Sequence, residues 1–346
     1  MAQWPAPLPE EGFVGHIVDV AADESSRFLA WAEEENVGEL TLEQLHAQVR
    51  RISHAYLKAP TEPLFVRTRE LRDRAFALLA GQQRPSHARD LYAAAGWSLT
   101  MLAWMSVDLG RPDAAEDHAR AAWLCAERAE HGGLRAWVRA TQHTAAFWQD
   151  DFARAAEYAV DGLQYATGSA TSFLNSAYAL DLARCGQDEP AWEALRQAWT
   201  VAESVEPADD ELAGPFTCSF DRVSGLWSDT QLTLGAAEAA LELTDRGVAA
   251  FDAISSQQRN WGSERMVRLQ KVRAHLALSQ LDGAELALAP VLDTAPEHRV
   301  RPLLVRMNDV YTAATTSRHA SEPIVARIRS DVLAFQQAAT VRDLAP

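Results

Sequence analysis

The chain has 346 residues, of which 48% are hydrophobic, so it can bury a substantial core. Its formal net charge of −16 disfavours contact with a phosphate backbone, and we expect no direct nucleic-acid partner. It shows no signal-peptide pattern, and no apolar run approaches the ~18 residues that a membrane span needs. Its three cysteines stand far apart. Together these features predict free buried thiols, no membrane partner and a cytoplasmic location.

The first part of the chain divides at about residue 22. Residues 1–22 are rich in proline at first and predict an extended N-terminal arm. Residues 23–82 predict N-terminal capping helices. Within them, Thr41 and Gln44 have the spacing of a capping box, which predicts a helix from Thr41 to about Lys58.

A helical hairpin then recurs along residues 83–295. Each copy has a small residue just after its turn, at intervals of about 41, 35, 49 and 44 residues. This pattern predicts an all-α, right-handed superhelical solenoid of tetratricopeptide-like hairpins, with no strand. Residues 296–346 predict C-terminal capping helices and a tail. The recurring small residues are Ala114 and Ala115, Ala155 and Ala156, Ala191, Ala239 and Ala240, and Gly283 and Ala284.

One long irregular segment, residues 206–218, interrupts the repeats and accounts for the longest interval. Segments of this length in compact arrays are often functional. A tolerated insertion explains the pattern equally well, so its role stays open at this point.

Motifs for catalysis or cofactor binding are absent from the sequence. Glu43 and His46 form half of a carboxylate-bridged metal motif, but the second half is missing. No phosphate-binding glycine loop and no Gly-x-Ser-x-Gly nucleophile turn occurs. We therefore expect no catalytic residue, no metal and no cofactor.

Polar side chains recur on the first helix of several hairpins, opposite the apolar stripe of each helix. Because consecutive first helices of a solenoid align their faces, these side chains are predicted to line one concave groove. Aromatic walls with a few polar groups suit a short peptide or an amphipathic small molecule. An ordinary solvent-exposed face is the competing interpretation of each stripe. The predicted groove residues are Trp97, Trp104, Arg135, Arg139, Gln142, His143, Asn175, Tyr178, Arg268 and Lys271.

The chain also resembles a known family. Over roughly residues 23–310 it is similar to the C-terminal, tetratricopeptide-like sensor region of actinobacterial Xre-type (lambda-repressor-like) transcriptional regulators. That family carries an N-terminal DNA-binding domain, whereas here an arm of about twenty residues precedes the array. The resemblance therefore implies a shortened regulator or a stand-alone sensor or adaptor, and it does not imply DNA binding. The similar stretches are residues 40–46, 63–74, 89–96, 122–126, 133–139 and 264–267.

Three functions fit these observations. The leading hypothesis is a non-enzymatic module that binds a peptide, a small signal or a partner protein in the control of transcription or development. The second is an enzyme of specialised metabolism with a tryptophan-lined pocket, in which His143 and Asp108 are the acid and base candidates. The third is a structural dimerisation module that forms a homodimer.

Overall fold

The computed structural model describes residues 20–22, 24–25, 28, 36–56, 58–204, 210–255 and 259–343, with side chains up to Ala339. Most of the predicted arm and most of residues 23–35 lie outside these residues. Every regular element in the described part is helical, and no strand occurs there. The predicted all-α solenoid is therefore confirmed.

The helices form consecutive antiparallel hairpins, in which an odd-numbered first helix is followed by an even-numbered second helix. Short turns, together with 3-10 turns at Gly214–Phe216 and Pro296–His298, connect them. The helices are α1 Glu39–Tyr56, α2 Thr61–Leu79, α3 Pro85–Asp108, α4 Pro112–Arg128, α5 Gly132–Phe147, α6 Phe152–Leu163, α7 Gly168–Arg184, α8 Asp188–Ser204, α9 Phe220–Thr233, α10 Ala237–Asp252, α11 Trp261–Ala277, α12 Leu281–Leu292, α13 Arg301–Thr316 and α14 Pro323–Asp343.

The turn inside each of five hairpins has the same backbone geometry. In the first of them, Gly110 has φ 70°, and the next N–H, from Arg111, donates to the Ser106 carbonyl at 2.8 Å. This is a Schellman end, in which a left-handed residue lets a late N–H satisfy an otherwise unpaired helix carbonyl. The left-handed residues of the five turns are Gly110, Asp150, Gly186, Gly235 and Ser279.

The recurring alanines occupy equivalent structural positions. The fourth residue of each of these second helices is a fully buried alanine: Ala115, Ala155, Ala191, Ala240 or Ala284. A methyl side chain there lets the second helix pack closely against its neighbours. The predicted register is confirmed at Ala115, Ala191, Ala240 and Ala284; of Ala155 and Ala156, the buried residue is Ala155, one position before the one that the intervals of 41 and 35 residues imply.

The solenoid curls far enough for its end to meet its beginning. Helix α13 contacts α3, and the Arg301 side chain lies beside Gly110. The main hydrophobic cluster extends from α1 to α10, and a second cluster joins α11 to α14. The first helices consequently line the inner side of the curled array.

Two local expectations were wrong. Helix α1 begins at Glu39 rather than Thr41, because the Gly38 carbonyl already accepts the N–H groups of Thr41 and Leu42. Cys185 is exposed, since it lies at the end of α7 in a hairpin turn, whereas Cys125 and Cys218 are buried. The domain bounds at residues 82 and 295 stay predictions. Among the described helices, none is long and apolar enough to cross a membrane.

Candidate functional site

The irregular segment between α8 and α9 folds into the interior of the solenoid. We call its residues 210–218 the inner strap; the part before residue 210 lies outside the described residues. Asp210 accepts the Ser169 backbone N–H at 2.9 Å, at the start of α7. Glu211 accepts the indole N–H of Trp97 at 3.2 Å and pairs with His131 at 2.9 Å. The strap is therefore anchored to first helices and their N-termini.

Phe216 anchors the other end of the strap in an aromatic cluster. Its side chain is 1% exposed. Its ring centroid lies 4.9 Å from that of Trp97, 5.4 Å from Trp137 and 6.4 Å from Trp104. Edge-on aromatic packing of this kind adds to the stabilisation from buried area. The segment thus forms part of the core rather than a surface insertion.

A cavity of about 230 Å³ remains beside the strap. Its lining comes from the first helices α1, α3, α5, α7, α9, α11 and α13, from Pro215 of the strap, and from short linkers with the adjoining start of α2. Its walls are largely aromatic. The rings on these walls belong to Tyr56, Trp104, Phe147, Trp148, Phe173 and Trp261.

Two arginines without an ion-pair partner among the described residues bring positive charge to the cavity. Within the part of the chain that the structure describes, no carboxylate lies within ion-pair distance of Arg222 or Arg265. Arg222 donates to the Pro215 and Thr217 carbonyls of the strap, and its guanidinium lies 5.4 Å from the Trp104 ring centroid. Burial lowers the pKa of both arginines, since taking a cation out of water disfavours its charged form.

A buried carboxylate, Asp229, organises the neighbouring wall. It accepts hydrogen bonds from Arg184 of α7 and Arg273 of α11, each at 2.8 Å, and from Arg306 of α13. The positive charges of these arginines hold its pKa well below the usual range despite its burial. Arg306 also pairs with Asp309 at 2.7 Å. Asp229 and Arg306 both line the cavity, so this cluster joins four first helices beside it.

Two side chains that can serve as an acid or a base, Asp108 and His143, also line the cavity. The Asp108 carboxylate accepts the Tyr56 hydroxyl at 2.8 Å, and burial raises the pKa of Asp108 to about 7. His143 Nε2 lies 2.9 Å from Asp181 Oδ2. Both partners of that pair are buried, and His143 Nδ1 has no hydrogen-bond partner among the described residues. Burial raises the pKa of Asp181.

Of the predicted groove residues, Trp104 and His143 line the cavity. Trp97 is covered by Phe216 and Glu211 of the strap, so the strap occupies the place where a ligand was expected. Asn175 is buried, and its side-chain amide donates to the Thr171 carbonyl of its own helix at 2.8 Å. Tyr178 packs against the main core.

The charged members of the predicted set contact second helices instead of the cavity. Arg139 pairs with Asp161 of α6, lies 3.7 Å above the Trp123 ring of α4, and donates to Gln142 at 2.7 Å. The remaining three pair with carboxylates of the preceding second helix: Arg135 with Glu127, Arg268 with Asp252, and Lys271 with Asp245.

This placement differs from the predicted one for a geometric reason. A first helix of a solenoid is covered by its own second helix, by the preceding one and by the next first helix. Its polar stripe therefore need not lie on the groove side. The cavity arginines Arg222, Arg265 and Arg306 were not singled out from the sequence. They share one feature that the sequence shows: each lies in the first two turns of a first helix.

The arrangement can hold an elongated apolar or aromatic group between rings and a polar group at the arginines. Among the described residues, no group of three His, Cys, Asp or Glu side chains is placed to hold a metal ion.

No known protein-family model matches the chain. No curated protein matches it in sequence. A solved structure that is similar to it is a Rap protein complexed with competence and sporulation factor. The two share 12% sequence identity with a TM-score of 0.52, over 88% of this chain and 90% of the Rap chain. At this identity the likeness shows the fold: the chain shares the helical architecture of the Rap protein.

Proposed function

We propose that this protein is a regulatory module that binds a peptide or an amphipathic small molecule in its interior cavity. The observation that carries the proposal is the cavity itself, where walls from seven first helices, five of which contribute an aromatic ring, meet two half-buried arginines that lack an ion-pair partner among the described residues, Arg222 and Arg265. Pockets that are mostly apolar with a few placed polar groups are typical of small-ligand sites. Because the lining comes from both ends of the solenoid, a ligand there would couple α1 and α3 to α13.

One structural comparison and one sequence resemblance support a regulatory role. The Rap protein that shares the fold was solved as a complex with competence and sporulation factor. The resemblance to the sensor region of Xre-type regulators points to the control of transcription. We propose that the module acts in the cytoplasm through a protein partner, alone or as a homodimer, and without contacting nucleic acid itself.

The test is a ligand selection with matched cavity variants. A mixed library of short peptides and small organic molecules is incubated with the protein, and bound compounds are identified by mass spectrometry. Leu226 lines the cavity, so Leu226→Trp should fill it and remove the bound compounds. The control is Leu286→Trp, because Leu286 is 77% exposed on α12. The proposal would be contradicted if Leu226→Trp retained the same compounds as the unchanged protein. It would also be contradicted if the unchanged protein retained no compound.

An enzyme is the second candidate, and one observation favours it: Asp108, with a pKa of about 7, and His143 line the same cavity. A group that titrates near neutrality is suited to general acid–base catalysis. If the protein is an enzyme, a compound selected as above should be converted on prolonged incubation, and Asp108→Asn should stop the conversion without abolishing binding. If every selected compound is recovered unchanged, the enzyme candidate is contradicted and ligand binding remains as the proposed function.

A further inference from the structure

We propose that the cavity recognises a carboxylate group, held by Arg222 and Arg265, on a ligand with an apolar or aromatic body. This inference rests on the proposed function and adds the chemical class of the ligand. The two side chains belong to consecutive first helices, α9 and α11, near the start of each, and both line the cavity.

Arg265 is fixed in place but not neutralised. Its Nε donates to the Thr294 hydroxyl, and its Nη1 donates to the Trp261 carbonyl at 3.0 Å. Its guanidinium lies 5.0 Å from the Trp261 ring centroid. The described residues give its Nη2 no hydrogen bond. A guanidinium that is oriented by neutral partners and retains free donors is ready to bind an incoming carboxylate.

Arg222 is likewise held by neutral partners, in this case two backbone carbonyls of the strap. Its Nη1 donates to two carbonyls, at 2.6 Å in the case of Thr217, and its guanidinium lies 5.0 Å from the Phe173 ring centroid. Among the described residues, its Nε and Nη2 have no acceptor. Burying a guanidinium without a counter-ion is unfavourable, and a bound carboxylate would relieve that penalty.

The residues that line the cavity carry more positive than negative charge, in a protein of net charge −16. Among the lining residues, three arginines, Arg222, Arg265 and Arg306, stand with two carboxylates, Asp229 and Asp108. Three further carboxylates act on these arginines from outside the lining: Asp221 on Arg222, Glu264 on Arg265, and Asp309 on Arg306. Asp108 is half protonated near neutral pH, because burial raises its pKa to about 7. His298, which also lines the cavity, has a lowered pKa through burial and the positive charge of Arg265. A site of this polarity attracts anions and disfavours cations.

The size of the cavity limits the rest of the ligand. About 230 Å³ is somewhat below the ~300–1,000 Å³ of pockets for drug-sized molecules. The aromatic rings around it suit a phenyl or branched aliphatic group. A small aromatic or aliphatic acid, or the last residues of a peptide with a free carboxyl terminus, carries this combination of groups.

The experiment compares acids with their neutral amides. The probes are 4-phenylbutyrate and 4-phenylbutyramide, and the tripeptide Leu-Leu-Phe with a free or an amidated carboxyl terminus. Binding is measured by calorimetry and by the fluorescence of the cavity tryptophans. We expect at least one acid to bind at least about tenfold more tightly than its amide. The pair that shows the difference distinguishes a small acid from a peptide terminus.

Three variants assign the difference to the arginines. Arg265→Gln and Arg222→Gln should each bring the acid and its amide to nearly equal affinity. Arg327→Gln, on the surface pair with Glu285, should leave the difference unchanged. If a glutamine variant does not fold, as judged by circular dichroism, the corresponding lysine variant is used and should retain part of the preference.

Each outcome has a defined meaning. Equal affinity of acid and amide in the unchanged protein, or a preference that persists in both arginine variants, would overturn this inference while leaving the proposed function in place. Absence of binding by all four probes would overturn this inference, and the broader ligand selection would then decide the proposed function on its own.

Discussion

Asp229 and Arg306 form a buried ion pair that joins α9 to α13, two helices separated by a complete hairpin. The same carboxylate accepts hydrogen bonds from Arg184 and Arg273, so one acidic group holds three cations of three different first helices. Since removing one partner of a buried ion pair leaves the other charge uncompensated, this cluster should be sensitive to substitution.

Asp229→Asn should lower the free energy of unfolding by about 3–5 kcal/mol, because three arginines then lack their shared counter-ion. Chemical denaturation with a circular dichroism readout measures the change. Glu285→Gln, which removes the exposed pair with Arg327, is the control and should have little effect. Similar stability of both variants would mean that the cluster is not structural.

The Asp229 pair also has a predicted pH dependence. Its folded-state pKa is lowered, so its stabilisation is present above the ordinary aspartate pKa of about 4 and is lost as the pH falls below that value. The stability difference between the unchanged protein and Asp229→Asn should therefore shrink as the pH is lowered from about 5 toward 3. A constant difference over that range would contradict the assignment.

Asp108 should produce the opposite trend. Its folded-state pKa is raised to about 7, so between about pH 4 and pH 7 the unfolded chain releases this proton while the folded protein keeps it. The free energy of unfolding therefore falls as the pH rises through this range. Asp108→Asn should gain stability relative to the unchanged protein as the pH rises through this window, by at most ~4 kcal/mol, since each pKa unit corresponds to ~1.4 kcal/mol. Parallel stability profiles for the two proteins would contradict this prediction.

The buried alanines of the second helices should tolerate no larger side chain. Ala115→Leu and Ala240→Leu should each overpack a hairpin and cost roughly 1–3 kcal/mol. Ala239→Leu is a matched control, because Ala239 is the exposed neighbour of Ala240 on the same helix. Melting temperatures give the comparison, and equal values for Ala239→Leu and Ala240→Leu would show that the packing register is misplaced.

The inner strap should contribute to stability through Phe216. Phe216→Ala should cost about 3–5 kcal/mol, because it removes a ring packed among three tryptophans. Phe76→Ala should cost much less, since the Phe76 side chain is 40% exposed. Denaturant unfolding measures both, and equal small losses would indicate that the strap does not hold its interior position in solution.

The repeat architecture could be predicted from the sequence because its signals are local. A small residue just after a turn, at regular intervals, marks the second helix of each hairpin, and the fourth residue of each of the five second helices is a buried alanine. The first residue of α1 was predicted wrongly, because the Gly38 carbonyl accepts the N–H groups of Thr41 and Leu42 and the helix therefore begins before Thr41.

The cavity could be predicted only in part. Trp104 and His143 were found, but Arg139 contacts Asp161 and Trp123 on second helices, since every side of a first helix except one is covered by neighbours. Which polar stripe faces inward depends on superhelical packing between hairpins, and the sequence carries no local signal for it. The folding of residues 210–218 into the interior depends on long-range contacts such as that of Phe216 with Trp97.

A crystal structure of the protein with its tightest selected ligand tests the central claim most directly. The account predicts that the ligand lies inside the solenoid, with its apolar body among Trp104, Phe147 and Trp261 and its anionic group at Arg222 and Arg265. A ligand bound on the outer surface, or along the second helices beside Arg135 and Arg139, with the interior cavity empty, would contradict it.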